Sequence, residues 1–408
     1  MRIELASIGD ELLSGRVVNS NASWICQTLK SLGLTVAQIT TLPDNKKILY
    51  DRLKEALDRA DLVITTGGLG PTCDDLTRSV AAELFHSDFQ ENKELLEDLT
   101  RRYKKANASI KDQASVPSKA KLLQNLVGTA PGLLFSEGGK MLVLLPGVPQ
   151  EMRSIVANEL LPYLVKNFPA QNKPVERQLH FALLTESQID PFLREHQAEY
   201  KDLSIGIYPG YGTVSVSLLS PSETTILHVS QQLIEKFSTY FYQETSVEEA
   251  LHKVLAEKKL TLATAESCTG GQIAAMLTKI PGASNYFLGS IVSYCDALKE
   301  KLLRVAPETL KTYGNVSQEC VTEMLLGVFS ITDADYAIAI SGILGPSGGT
   351  AKTPVGTVFA AIGKRGAVPA IGIIPVYGNR EVMIESASRK VLAHLLRYIV
   401  HGTVPFTP

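Results

Sequence analysis

The sequence predicts an α/β protein of three domains, and three observations predict it. Short apolar strands alternate with amphipathic helices over residues 1–168 and again over 246–408. Glycine-rich turns follow directly on several of those strands. Between the two stretches, residues 169–245 read as a smaller α+β unit with a hairpin pattern. Strand–helix alternation at this spacing argues a parallel sheet covered on both faces.

Each element has its own signal. Residues 2–8 form the first strand. Residues 21–33 form a helix with Ala22, Ile25, Leu29 and Leu32 on one face and Gly33 as its stop. A strand at 34–40 and a helix at 46–60 follow, the helix carrying Leu49, Leu53 and Leu57 on one side. A short buried strand at 61–66 runs into Gly67-Gly68-Leu69-Gly70. Residues 88–111 are charged and read as helical, 141–145 as a buried strand, and 150–165 as a helix. Pro169 and Pro174 mark a linker. In the middle unit, residues 175–184 alternate and 186–196 are helical. Residues 203–208 and 213–219 pair across Pro209-Gly-Tyr-Gly212, and 227–242 read as a helix. The third unit opens with a helix at 247–258 and a strand at 260–265. A continuous apolar strand at 336–340, a hairpin of 356–362 with 370–375, and a last helix at 380–400 complete it.

Composition excludes several functions. In 408 residues, Lys+Arg 40 against Asp+Glu 42 gives a net charge of -2, which argues against nucleic acid as the main partner. No apolar run approaches the ~20 residues of a membrane span, so no membrane partner is expected. The first segment carries Glu4 and lacks the apolar core of a signal peptide. The five cysteines (Cys26, Cys73, Cys268, Cys295, Cys320) form no CxxC pair, so neither a disulfide framework nor a zinc knuckle is expected. Reduced thiols point to a cytoplasmic setting. None of the seven histidines sits in a glycine-rich turn, so any nucleophile here needs a base other than histidine.

Four glycine-rich turns carry the chemistry. In the run 65–77, backbone N–H groups of Gly67, Gly68, Gly70 and Thr72 are candidates to cradle phosphate, helped by the dipole of the helix that follows. Asp74 and Asp75 suit a hard divalent cation beside it; the alternative makes Asp74 an N-cap. The turn 9–15 places its acids, Asp10 and Glu11, at the carboxyl edge of the first strand, where open α/β sheets bind ligands. The turn 145–152 is a proline-stiffened loop with Glu151. The fourth, Ala265-Glu-Ser-Cys-Thr-Gly-Gly271, offers Ser267 as nucleophile, with N–H groups of the helix start as an oxyanion hole. Cys268 competes as nucleophile, and an N-cap role is the structural alternative for Ser267. Lys299, on a helix just after Tyr294, supplies a base for Ser267, with Tyr294 relaying the proton, if it is buried, and a solvated helix face if it is not. The loop 341–349, with Ser341, Gly342 and Gly345, adds a second phosphate-type cradle.

Together these motifs resemble the CinA (competence/damage-inducible protein A) family, over nearly the whole chain and in the family's domain order. The runs 9–15, 66–77, 128–132 and 145–152 resemble its N-terminal domain, which has the molybdopterin-binding fold of MoaB-type proteins. The runs 265–271, 293–299, 341–349 and 354–357 resemble its C-terminal domain, and the middle unit is similar to its KH-like domain. The resemblance implies two hydrolytic activities. One is a nicotinamide-nucleotide amidase that converts nicotinamide mononucleotide to nicotinate mononucleotide and ammonia, with no cofactor. Ser267 matches its nucleophile, Tyr294 and Lys299 its activating residues, Thr269, Gly270 and Gly271 its turn, and Arg380 a substrate-contacting arginine. The other is a metal-dependent ADP-ribose pyrophosphatase, whose phosphate loop and acids match residues 67–75 and Asp10. A homodimer is implied as well. The chain departs from the family in carrying Ser341 for the usual Thr, and Leu344 and Ser347 where Ala and Asp are usual. The middle unit has Leu184-Thr185 before Glu186-Ser187, and Pro209-Gly-Tyr-Gly212 lacks a basic GxxG clamp. The competing reading is a non-catalytic interaction or ligand-binding protein.

Overall fold

The computed structural model describes residues 1–70, 75–103, 108–168 and 175–406. The anticipated linker at 169–174 and the predicted site residues Thr72 and Asp74 lie outside them. The chain divides into two units, residues 1–173 and 174–408, each described by itself.

The first unit contains β1 (Ile3–Ile8), β2 (Val36–Leu42), β3 (Leu62–Thr66), β4 (Phe89–Glu91), β5 (Ser115–Pro117), β6 (Lys121–Leu123), β7 (Gly132–Glu137) and β8 (Lys140–Leu145). Six of them make one sheet, in the order β2-β1-β3-β8-β7-β6. The strands read as unbroken apolar runs because both faces are covered. Ile3, Leu5, Leu62, Ile64, Val143 and Leu145 pack with Ile25, Leu29, Met152 and Ile155 on one face. Ala6, Ile8, Val63, Leu142 and Leu144 pack with Leu49, Leu53, Val80 and Ala81 on the other.

Three expectations need correction here. The sheet is mixed: β1, β2, β3 and β8 run parallel, but β7 pairs antiparallel with β8, and β6 antiparallel with β7. The two-residue turn Gly138-Gly139, both at positive φ, closes the β7–β8 hairpin in the conformation that only such residues adopt readily. The segment 88–111 is not all helix. Residues 89–91 pair as β4 with β5, and the Asn92 side chain accepts from the Leu95 N–H, which starts the helix Lys93–Tyr103 late. The helix 150–165 is interrupted by a π-helical turn at Val156–Leu160, just before Pro162, which has no N–H to continue the α ladder.

The second unit holds two sheets. The first is β9 (Val175–Ala182), β10 (Ser204–Gly210), β11 (Thr213–Ser220) and β12 (Phe241–Tyr242), ordered β10-β11-β9-β12 and antiparallel throughout. The expected helix 227–242 is instead the helix Glu223–Lys236, N-capped by Ser222, followed by β12. The second sheet is β13 (Leu262–Glu266), β14 (Phe287–Val292), β15 (Tyr336–Gly342), β16 (Val358–Lys364) and β17 (Ala370–Ile373), ordered β14-β13-β15-β16-β17. β14, β13 and β15 are parallel, so their carboxyl ends lie side by side. Small residues Ala263, Ala265, Ala337 and Ala339 line one face; Leu262, Ile338 and Ile340 line the other. The helix Arg380–His401 ties the two sheets together: Arg397 Nε donates to the Thr239 carbonyl at 3.0 Å, and Ala182 and Tyr242 join the core around Val391 and Leu392. Among the described residues, no helix is long and apolar enough to cross a membrane.

Candidate active sites

Three serines stand in a row at the carboxyl ends of the parallel strands of the second unit. The registers pair Glu266 with Val292 on one side and with Ile340 on the other. Carried on by one residue, they set Ser267 between Ser293 and Ser341. The Ser267 N–H donates to the Ile340 carbonyl at 3.0 Å, and the Ser293 N–H to the Glu266 carbonyl at 2.9 Å.

Lys299 closes on this row. It lies on the helix Asp296–Leu303 and is 1% exposed, so it is no solvated helix face. Its Nζ donates to Ser267 Oγ at 3.1 Å and to the Ser293 carbonyl at 2.9 Å. The Asp296 carboxylate stands 3.9 Å from Nζ, half exposed, and accepts from Asn315 Nδ2 at 2.8 Å. Ser341 Oγ is occupied as a donor to the Asn315 carbonyl at 2.6 Å. A serine hydroxyl against a buried lysine amine is a nucleophile–base pair that needs no histidine.

Two sequence expectations change at this site. Tyr294 does not stand between the pair, since Lys299 reaches Ser267 directly. The Tyr294 hydroxyl instead accepts from Arg380 at 2.8 Å, and a second Arg380 nitrogen donates to the Gly345 carbonyl at 2.8 Å. Arg380 opens a helix, where a cation works against the dipole, so these contacts set its position. Second, the helix-start amides are not free as an oxyanion hole. The helix begins at Gln272, and the buried Glu266 accepts from the amides of Gly271, Ile273 and Ala274 and from the hydroxyls of Thr269 and Ser290. Thr269 and Gly271 therefore build the turn through Glu266, while the Gly270 amide donates to the Ser267 carbonyl. Ser267 is not an N-cap; Glu266 meets that need one residue earlier.

Cys268 is buried, which pushes its thiol up to about 12; the Glu266 charge adds to this, and Lys299 and Arg380 oppose it. At neutral pH it is a thiol, not a thiolate, and drops out as nucleophile.

In the first unit, a cavity of about 400 Å³ opens at the carboxyl ends of β1, β3 and β8 and is lined by Gly67, Gly68 and Gly70. A Cβ on Gly67, at φ +103°, would collide with the Ile8 carbonyl oxygen, so the loop hugs β1 as only glycine permits. Thr77 Oγ1 donates to the Gly67 carbonyl at 3.0 Å and pins the loop to the next helix, which begins at Thr77. Asp75 lines the cavity together with Glu11, Asp44 and Glu151. Asp10 is not in the lining; its N–H donates to the Asp44 carboxylate at 3.1 Å. Among the described residues, no three His, Cys, Asp or Glu side chains converge as a metal cluster. Magnesium, however, is usually held by one or two carboxylates plus substrate phosphates, and the acidic wall beside the glycine loop fits that pattern.

Several of these residues escaped the sequence reading. Asp44 joins Glu11 of the turn 9–15 here because β1 pairs with β2, which brings two loop ends together. The signal available for Glu266 was a carboxylate placed just before a glycine-rich helix start.

Comparisons with known proteins bear on both sites. The CinA-like protein of Prochlorococcus marinus is 34% identical over 98% of this chain and 95% of its own length. This chain belongs to the CinA family. A putative competence-damage inducible protein of Symbiobacterium thermophilum is 36% identical over 98% of this chain and 99% of its own. The family description "CinA C-terminal domain" matches residues 244–399, and "Probable molybdopterin binding domain" matches 4–166. The crystal structure of CinA from Thermoplasma acidophilum is 33% identical, covering 41% of this chain and 96% of that one at a TM-score of 0.37. In this CinA family member, the Ser267–Lys299 pair thus falls within the C-terminal match and the glycine-lined cavity within the N-terminal one.

Proposed function

We propose that this protein hydrolyses the amide of nicotinamide mononucleotide in its C-terminal domain and the pyrophosphate of ADP-ribose in its N-terminal domain. Both substrates belong to cytoplasmic pyridine-nucleotide recycling, and the working form is a homodimer. The observation that carries the amidase reading is Lys299 Nζ, buried and 3.1 Å from Ser267 Oγ.

The chemistry follows from that contact. Lys299 takes the Ser267 proton as Oγ attacks the amide carbon, and the C=O pair moves onto oxygen. Collapse of the intermediate expels ammonia, whose nitrogen collects the proton from Lys299. Water then repeats the cycle: Lys299 takes its proton, hydroxide attacks the ester, and Ser267 leaves reprotonated. Nicotinate mononucleotide and ammonia are the products. Arg380, held at the mouth by Tyr294 and the Gly345 carbonyl, suits the nucleotide phosphate, and the N-terminus of its own helix adds to that field.

For the N-terminal domain, the reading rests on a pinned glycine loop facing four carboxylates across one cavity. Asp75, with Glu11, Asp44 or Glu151, would hold a divalent cation, which supplies charge neutralisation for the departing phosphate. The protein's own contribution is the loop's N–H groups and the rigid walls of the cavity.

The test is a pair of assays on the purified protein: ammonia released from nicotinamide mononucleotide, and AMP released from ADP-ribose with and without magnesium or manganese. Absence of ammonia in wild type sinks the first reading, and absence of AMP under every metal sinks the second.

A further inference from the structure

One buried hydroxyl beside the Ser267–Lys299 pair has no partner. Ser293 is fully buried, and its backbone is bonded at both ends, to the Glu266 carbonyl and to Lys299 Nζ. Its Oγ nevertheless bonds to nothing among the described residues. Its neighbours in the row differ: Ser341 Oγ is committed to the Asn315 carbonyl, and Ser267 Oγ to Lys299. A buried hydroxyl without a partner is costly and asks for a reason.

The valences of Nζ supply one. A neutral amine accepting the Ser267 proton has two N–H groups and one lone pair; the ammonium it becomes has three N–H groups. Among the described residues two acceptors lie within hydrogen-bond distance, Ser267 Oγ and the Ser293 carbonyl. Asp296 stands off at 3.9 Å and is bonded by Asn315. Once Ser267 Oγ is bonded to the substrate carbon it is a poor acceptor, and the ammonium is left short. We propose that Ser293 Oγ is the missing acceptor: a positioning residue that turns onto protonated Lys299 and so strengthens it as the base for Ser267. The proposal rests on the amidase reading for its biological substrate, but not for its test. The step balances: the Ser267 proton moves to Nζ, Oγ forms the bond to carbon, and Ser293 exchanges no proton.

The charged and titratable groups around Lys299 are Asp296 on its own helix and Glu323 and Cys320 on the helix Gln318–Ile331. Cys268, at the end of β13, lies within reach of the Lys299 charge and of those of Glu266 and Arg380. None of these changes in the variants below.

The test uses a fluorophosphonate probe, which phosphonylates an activated serine and needs no nucleotide. Labelling of Ser267, located by peptide mass, is followed against pH in wild type, Ser293→Ala and Ser293→Thr. The rise of the rate with pH in wild type sets the reference. Without the Ser293 hydroxyl the ammonium form is less favoured, so the rise moves to lower pH by about one unit, and the plateau falls about tenfold as the base weakens. Ser293→Thr keeps the hydroxyl and restores both. A rise at the wild-type pH in Ser293→Ala overturns the proposal whatever the plateau does. So does a shifted rise that a folded Ser293→Thr fails to restore, or a wild-type Ser267 that never labels. Ammonia release, measured alongside, reports separately on the amidase reading.

Discussion

The two candidate sites are built at the same place in their sheets and in opposite ways. Both sit at the carboxyl ends of parallel strands, where helix starts and loop N–H groups face outward. In the second unit the proposed nucleophile and base already touch, Lys299 Nζ against Ser267 Oγ, both nearly closed to water beside a helix start that Glu266 caps. In the first unit the glycine loop is fixed, but its carboxylates stand apart around an open cavity. The difference follows from what each chemistry needs. Proton transfer from a hydroxyl works only within hydrogen-bond reach and needs desolvation to hold an amine neutral. Phosphate chemistry brings its own charge and its own cation, so the protein supplies walls and lets the ligand complete the site.

The contrast breaks hardest at Ser267. Ser267→Ala is expected to lower ammonia release by about 10⁴–10⁶-fold, because removing one member of a nucleophile–base unit costs nearly as much as removing both. Lys299→Met should fall as far, and Lys299→Arg nearly so, since a guanidinium does not give up its proton. ADP-ribose cleavage, assayed on the same preparations, should be untouched. Equal loss of both activities in folded variants would join two sites that the fold keeps in separate units.

Metal removal tests the other half. Chelation should abolish AMP release, by about 10²–10³-fold or more, and leave ammonia release unchanged. Asp75→Asn should mimic chelation in part, with activity regained at higher metal concentration. Metal-independent cleavage of ADP-ribose would show that the acidic wall has another purpose.

What was legible in the sequence follows the same division. Ser267, Lys299 and the glycines were readable because each lies in a short run whose local chemistry is unusual. Contacts set by strand order were not. Nothing in a linear reading says that β14 and β15 flank β13, so the serine row and the Ser293 carbonyl under Lys299 stayed hidden. Tyr294 lies near Lys299 in sequence, which suggested a relay, yet its hydroxyl turns to Arg380, 86 positions along the chain. The antiparallel β7–β8 pair does have a signal, Gly138-Gly139 between apolar runs.

Glu266 sharpens the comparison through stability. Glu266→Gln keeps the shape but offers amide hydrogens to a helix start that already supplies donors. Loss of a charged, multiply bonded cap is expected to cost about 3 kcal/mol. For a unit of this size that lowers the melting temperature by about 6–12 °C. Calorimetry on the purified variant checks it, with ammonia release falling as the turn 265–271 loosens. An unshifted melting temperature would mean the helix start finds water instead.

A smaller effect is expected at the mouth of the site. Tyr294→Phe removes one hydroxyl from Arg380 and leaves Ser267 and Lys299 in contact. KM for the nucleotide should rise about 2–10-fold with little change in kcat, the size of one hydrogen bond. A large fall in kcat with KM unchanged would return the tyrosine to the proton path.

The smallest effect concerns Cys268, the residue next to the nucleophile. Burial pushes its thiol from the ordinary 9.0 up to about 12, with Glu266 adding to the shift against Lys299 and Arg380. Thiolate, the reactive form, is therefore negligible at pH 7, and Cys268→Ala should change ammonia release by less than about twofold. The same shift has a consequence at high pH. The unfolded chain releases this proton near 9.0 and the folded chain holds it to about 12. Its contribution to stability is thus complete below the lower value and is lost as pH rises through the upper one. Urea melts between those limits should lose stability with pH more steeply in wild type than in Cys268→Ala. Cys320, whose thiol burial also raises to about 12, remains in both proteins and cancels from the difference. Alkylation mapped to Cys268 at pH 7, with ammonia release lost in step, would place the nucleophile on sulfur and leave the row of serines without its central role.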